Sequence, residues 1–155
     1  EFIMKDLNVN IKAESKNPTQ TEVKARNFTM TIDEPQNLGG TDEGANPVEY
    51  VLGALSGCLT VVGHLVAKEM GFTLRGMSME LNGSLDPARF MGKSKEERAG
   101  YKGIEVKIHA DADADEETLN RWVEQIEDRC PVSDNLSHET PIQITALQSV
   151  NAMSN

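Results

Sequence analysis

One stretch constrains this chain more than any other: Asn46-Pro47-Val48-Glu49-Tyr50-Val51-Leu52-Gly53-Ala54-Leu55-Ser56-Gly57-Cys58-Leu59-Thr60-Val61-Val62-Gly63. It opens like a helix. Asn46 can accept from the first unpaired amides, Pro47 needs no amide partner at the first helical position, and Glu49 completes an Asn-x-x-Glu capping box. The next stop signal is Gly71, after Lys68-Glu69-Met70, which predicts a helix of about 24 residues. Such a helix is apolar on nearly every side and carries Gly53, Gly57 and Gly63, so it must be packed all round, with another backbone in close approach. A small domain has little material to surround it, and burial by a second subunit is the expected solution.

The rest of the composition narrows the class. The chain of 155 residues is read as one domain, 1–155, with Glu1-Phe2-Ile3 ahead of Met4 resembling vector-derived residues. Hydrophobic residues make up 38% and charged ones 26%, which suits a folded domain rather than a disordered tail. The formal charge of −10 argues against nucleic acid and against a membrane surface as partners, since both favour clustered cations. The acidic run Asp111-Ala112-Asp113-Ala114-Asp115-Glu116-Glu117 reads as a solvated loop and helix start rather than a cation site. The uncharged run from Tyr50 to Gly63 falls short of the roughly 18 apolar residues of a membrane span. No secretion signal is visible, and two cysteines then point to the reducing cytoplasm, where a structural disulfide is unusual.

Alternation supplies the strands. Leu7, Val9 and Ile11 predict a first strand, Asn17-Pro18-Thr19 a turn, and Thr21 to Ile32 a second strand. The second changes phase: Val23 and Ala25 share one parity, Phe28, Met30 and Ile32 the other, so a bulge near Arg26 or Asn27 is expected. After the central helix come a strand from Leu74 to Leu85, a polar excursion from Asp86 to Gly103, and a strand through Ile104, Val106, Ile108 and Ala110. A second helix starts at its cap Asp115 with Leu119, Trp122, Val123 and Ile126 on one stripe, and Pro141 to Val150 closes as a strand. This order is α+β with mainly antiparallel pairing.

The chemistry rests on two cysteines. Cys58 lies within the apolar helix, and Cys130 lies in Arg129-Cys130-Pro131-Val132-Ser133. Pro131 disfavours a helical Cys130, which places that residue at a break where it can cap a following short helix. On spacing alone, a redox pair and two unrelated buried thiols stand equally, because 72 positions of separation prove nothing about proximity. The histidines add little: His109 has the solvent-facing parity of its strand, His138 lies in a turn, and His64 suits the polar end of the helix. Two cysteines without clustered histidine do not make a zinc site, and no cofactor is called for.

The segment Gly44 to Leu59, with its Asn-Pro-x-Glu helix start and its cysteine in an Ala/Gly-rich helix, resembles the hallmark of the OsmC/Ohr family of thiol peroxidases. Arg129-Cys130-Pro131-Val132-Ser133-Asp134-Asn135-Leu136 resembles that family's second cysteine motif, and the loop Asp33 to Gly44 resembles the OsmC-like branch. The resemblance implies an OsmC-like fold, with antiparallel sheets wrapped around long central helices in an intertwined homodimer. It implies a cysteine-based peroxidase acting on organic hydroperoxides, and on hydrogen peroxide as a further substrate, in which Cys58 is the peroxidatic thiol and Cys130 the resolving one. An external dithiol, a lipoylated protein among the candidates, would reduce the resulting disulfide.

The resemblance further implies an arginine held by a glutamate beside the reactive thiol. Glu49 matches the glutamate, although nine helical positions place it on the face opposite Cys58, about 13 Å away, so it would serve the partner subunit's cysteine if it serves one. A capping acid is its alternative role. Arg26 precedes the central helix and shares parity with the apolar Phe28, Met30 and Ile32, which makes it the candidate cation unless a bulge turns it outward. For the peroxidase, an apolar pocket around Cys58, lined by such residues as Leu55 and Val62, would suit alkyl or fatty-acyl peroxides. The competing function is a non-catalytic OsmC-like protein that binds an apolar small molecule at the dimer groove, its cysteines being remnants.

Overall fold

The computed structural model describes residues 4–149. The first three strands form a small antiparallel sheet in the order β1 (Lys12–Ser15), β2 (Thr21–Ala25), β3 (Phe28–Ile32). The Asn17 carboxamide closes the β1–β2 turn by accepting from the amides of Thr19 (2.9 Å) and Gln20 (2.8 Å). The expected strand over Leu7, Val9 and Ile11 is not formed: β1 begins at Lys12, and those three apolar side chains are exposed. Alternation makes a segment strand-competent, but a strand also needs an edge to pair with, and this chain offers none there.

The phase change between Val23 and Phe28 is not a bulge. β2 and β3 are a hairpin, with Ala25 opposite Phe28, Val23 opposite Met30 and Thr21 opposite Ile32. A two-residue turn at Arg26-Asn27 switches parity while leaving Val23 and Met30 on the same face. Arg26 takes the left-handed backbone (φ 54°) that such a turn demands, a conformation rarely given to arginine.

Helix α1 (Pro47–Met70) follows a loop organised around one carboxylate. Asp33 is fully buried and accepts from the hydroxyls of Thr41 and Thr19 and from the amides of Glu34 and Glu43. The Thr41 hydroxyl is the largest of the effects that hold its carboxyl well below the usual carboxylate range. The predicted capping box is present: Asn46 accepts from the Glu49 amide and Glu49 from the Asn46 amide, each at 2.9 Å. Gly71 ends the helix in the left-handed conformation (φ 82°). At 24 residues α1 is long and apolar enough to cross a membrane by those measures alone, beyond what the uncharged run Tyr50 to Gly63 suggested. Its buried residues Leu55, Leu59, Val62, Val66 and Ala67 belong instead to the protein core.

Strands β4 (Leu74–Ser84) and β5 (Gly103–Ala112) pair antiparallel from Leu74–Ala112 to Ser84–Gly103. Met77, Met79, Leu81, Ile104, Val106 and Ile108 turn one face onto the core, while Glu80, Glu105, Lys107 and His109 face outward. Helix α2 (Glu116–Arg129) is capped by Asp115, which accepts from the Thr118 amide at 2.8 Å, and lays Trp122 and Ile126 onto α1. Asp111 and Asp113 of the acidic run are both held by Arg75. Helix α3 (Pro131–Ser137) follows α2 after a single non-helical residue. The expected last strand from Pro141 is absent through residue 149: Ile142, Ile144 and Leu147 are exposed and unpaired, for want of a neighbouring edge, and Val150 lies outside the described residues.

The fold is therefore α+β with two antiparallel sheets, as read from the sequence. The core belongs to α1, α2 and the β4–β5 sheet. The β1–β3 sheet is tethered beside it through the Tyr50 hydroxyl, which donates to the Thr31 carbonyl at 2.7 Å. The remaining face of α1 is uncovered. Gly53 and Gly57 have open space where a side chain would stand, and Val61, one further turn along, is 69% exposed.

Candidate functional site

Cys130 is fixed before its thiol is considered. Pro131 forces it out of helical geometry (φ −81°, ψ 111°), so it ends α2 by donating its amide to the Ile126 carbonyl at 3.0 Å. The same residue begins α3, its carbonyl accepting from the Asp134 amide (2.9 Å) and its sulfur from the Ser133 amide (3.4 Å). One fully buried cysteine is thus held by the backbone on both sides.

Two contacts bring that junction against α1, and a third reinforces them just past its end. The Trp122 indole N–H donates to the Gly63 carbonyl at 2.8 Å. Gly63 admits the ring because it has no side chain: a Cβ there would lie 3.1 Å from Trp122 Cζ2 and from Met77 Sδ. Nearer the site, the Arg129 guanidinium grips the Glu69 carboxylate through both its terminal nitrogens, Nη2 to Oε1 at 3.1 Å. Phe72 adds an edge-on contact to Trp122, with ring centres 6.0 Å apart.

The result is a thiol pair. Cys130 Sγ lies 2.9 Å from Cys58 Sγ, and both cysteines are free. Burial is the main cause that pushes the Cys58 thiol up from its ordinary pKa; the thiol contact with Cys130 adds to it, and the Val132 amide acts the other way. No arginine is among the groups that act on this thiol.

The helices that carry the pair also border a cavity of about 750 Å³, which neither cysteine lines but the neighbouring Leu59 and Ser133 do. Leu55 and Leu59 on α1, Val106 on β5 and Ile126 on α2 give it an apolar wall. Ser133, whose amide reaches Cys130, lines it on the α3 side. Of the two residues expected around the thiol, Leu55 lines this space and Val62 is spent in the core. Tyr101 closes the far end: its ring lies over Gly83, and its hydroxyl donates to the Val48 carbonyl at 2.6 Å. Burial, then the nearby Glu49 charge, raises the Tyr101 phenol pKa.

The other two candidates do not join the thiols within this chain. Glu49 is exposed in the first turn of α1 and is used in the capping box. Arg26, expected on the apolar face, stands instead at the exposed hairpin turn with its guanidinium 5.0 Å from the Phe28 ring centre. None of His64, His109 and His138 contacts the thiol pair: all three are exposed, His109 beside Glu80 and His138 beside Asp134. Among the described residues no group of three His, Cys, Asp or Glu could hold a metal ion.

Sequence reasoning missed Tyr101, Asp33 and the Arg129–Glu69 clamp. A signal existed for the first, an aromatic closing a polar excursion opposite a strand glycine. Nothing local pointed to the other two.

This geometry has relatives. Residues 40–145 match the family described as OsmC-like protein. An OsmC-like protein from Mycoplasma pneumoniae shares the fold with a TM-score of 0.75 at 19% identity, covering 86% of this chain and 89% of its own. An organic hydroperoxide resistance protein OsmC from Legionella pneumophila superposes with a TM-score of 0.63 at 20% identity, over 83% of this chain and 88% of its own. The organic hydroperoxide resistance protein OhrB of Bacillus subtilis gives 0.56 at 17% identity, over 83% and 89%. The sequence matches no curated protein. With the family match spanning well over half the chain and both cysteine motifs inside it, this protein belongs to the OsmC-like family.

Proposed function

We propose that this protein is a cysteine-based peroxidase that reduces organic hydroperoxides, with hydrogen peroxide as a poorer substrate. The observation that carries the reading is the 2.9 Å approach of two free thiols 72 positions apart. The Cys58 thiolate attacks the outer oxygen of R–O–O–H, the O–O bond breaks, and the alcohol leaves with a proton, giving Cys58 sulfenic acid. The Cys130 sulfur then attacks the Cys58 sulfur, water departs, and a disulfide forms. An external dithiol, with a lipoylated protein as one candidate, returns two electrons and two protons.

Burial opposes the thiolate this chemistry needs, and no cation is among the groups acting on Cys58, so the reading calls for one brought to the thiol. A homodimer would meet that need. The uncovered α1 face at Gly53, Gly57 and Val61 suits a second copy, as do the exposed apolar segments before β1 and after α3. Arg26 and Glu49, both exposed, would then serve the thiol of the other subunit. The cytoplasm, where dithiol donors are plentiful, is the compartment this chemistry suits.

The raised Cys58 pKa also favours a second reading, a non-catalytic protein holding an apolar small molecule in the cavity. A dithiothreitol-coupled assay separates the two. Turnover of cumene hydroperoxide faster than of hydrogen peroxide, abolished in Cys58→Ser, is the expected result. Turnover retained in that variant, or none in the parent protein, overturns the peroxidase. Light scattering tests the dimer, and a monomer at micromolar concentration would exclude it.

A further inference from the structure

The connection between β4 and β5 runs against the charge of the rest of the molecule. Between Asp86 and Lys102 stand five of the chain's 15 lysines and arginines: Arg89, Lys93, Lys95, Arg98 and Lys102. Its tip, Ala88-Arg89-Phe90-Met91-Gly92-Lys93-Ser94-Lys95, holds three cations and no acid in a protein of net charge −10. Elsewhere some cations are held by carboxylates, Arg75 by Asp111 and Asp113 and Arg129 by Glu69. None of the three tip cations is in an ion pair among the described residues.

At the same tip Phe90 is 75% and Met91 59% exposed. The turn is built rather than loose. Met91 donates its amide to Pro87 (2.9 Å), Gly92 to Arg89 (3.1 Å), and Lys93 to Ala88 (2.8 Å). The Asp86 carboxylate accepts from the Ala88 amide (2.8 Å), and the Arg89 guanidinium binds the Lys95 carbonyl (2.8 Å). Gly92 in the left-handed conformation (φ 69°) makes the bend possible. These bonds hold adjacent aromatic and thioether side chains in water with basic residues beside them.

We infer that the turn Ala88–Lys95 is a docking tip for the surface of a bilayer that contains anionic lipid. Phe90 and Met91 would enter the boundary between headgroups and acyl chains while Lys93 and Lys95 face lipid phosphates. Asp86, Glu96 and Glu97 flank the tip and offset part of its charge, while the acidity farther than about 10 Å from the membrane is screened at physiological salt and does not prevent this. It orients the protein, tip first. A second copy is the poorer occupant: two apolar side chains give far less than the roughly 800 Å² per partner of a stable interface, and lysine is depleted there.

Flotation of the full chain with phosphatidylcholine vesicles, with and without phosphatidylglycerol, tests this. The protein should float only with the anionic vesicles and be released by high salt. F90S/M91S and K93E/K95E should each weaken partition by at least about tenfold with the fold intact by circular dichroism. In Phe90→Trp, emission should shift to the blue on anionic vesicles, since Trp122 is buried and gives a constant background. Absence of flotation, or flotation unchanged in both double variants, overturns the proposal. A change of molar mass in F90S/M91S also overturns it, by assigning the tip to a contact between copies.

Discussion

The Trp122 indole reaches across to the backbone carbonyl of Gly63, five residues beyond Cys58 on the same helix, and this contact sets how closely α2 lies against α1. Trp122 is two helical turns before Cys130. The distance between the thiols is therefore governed from a point that takes no part in the chemistry.

Gly63→Ala should separate them. The new methyl would meet the Trp122 ring, which is fully buried and cannot withdraw, and Met77, which can. A loss of about 1–3 kcal/mol in denaturant unfolding is expected, together with slower oxidation of the thiol pair. Unchanged stability would show that α2 shifts freely.

Cys130→Ser should leave one turnover of peroxide and then over-oxidise Cys58 under excess hydroperoxide. In the parent protein, non-reducing peptide mass spectrometry should find the Cys58–Cys130 disulfide within one chain. Absence of that disulfide after oxidation would remove Cys130 from the mechanism despite its position.

Acid should open the loop before α1 first. Asp33 titrates below its unfolded value of about 4, so its contribution is present above that pH and is lost as pH falls toward the folded value. Amide exchange at Glu34, Thr41 and Glu43 should accelerate in that window ahead of α2. Asp33→Asn should flatten the pH dependence while lowering the melting midpoint by about 5 °C or more at neutral pH. An acid limb identical to that of the parent would assign it to other carboxylates.

Tyr101→Phe keeps the ring over Gly83 and removes the bond to the Val48 carbonyl. A stability loss of about 1 kcal/mol is expected. Faster release of an apolar fluorescent probe from the cavity should accompany it.

Much of this was legible in the chain. The signals Asn46, Pro47, Glu49 and Gly71 bound α1 because capping is local chemistry, satisfied within four residues. Asp115 and the break at Cys130 were legible for the same reason. The hairpin at Arg26 was hidden because its turn lacks the usual glycine or asparagine at the left-handed position. The alternating segments around Leu7 and Ile142 carried strand patterns without strands, since pairing depends on an edge found elsewhere. The meeting of Cys58 and Cys130 is a tertiary fact. It is set by Trp122, Gly63 and the Arg129–Glu69 clamp, none of which adjoins both thiols in sequence.

The long separation between the two cysteines has a thermal consequence. A bond between them would close a loop of more than seventy residues, restricting the unfolded chain by about 4 kcal/mol at room temperature. It would also join α1 to the point where α2 ends and α3 begins. Oxidation and reduction of the pair would then alternate between a tauter molecule and a looser one, and heat resistance would report how much of the protein is oxidised.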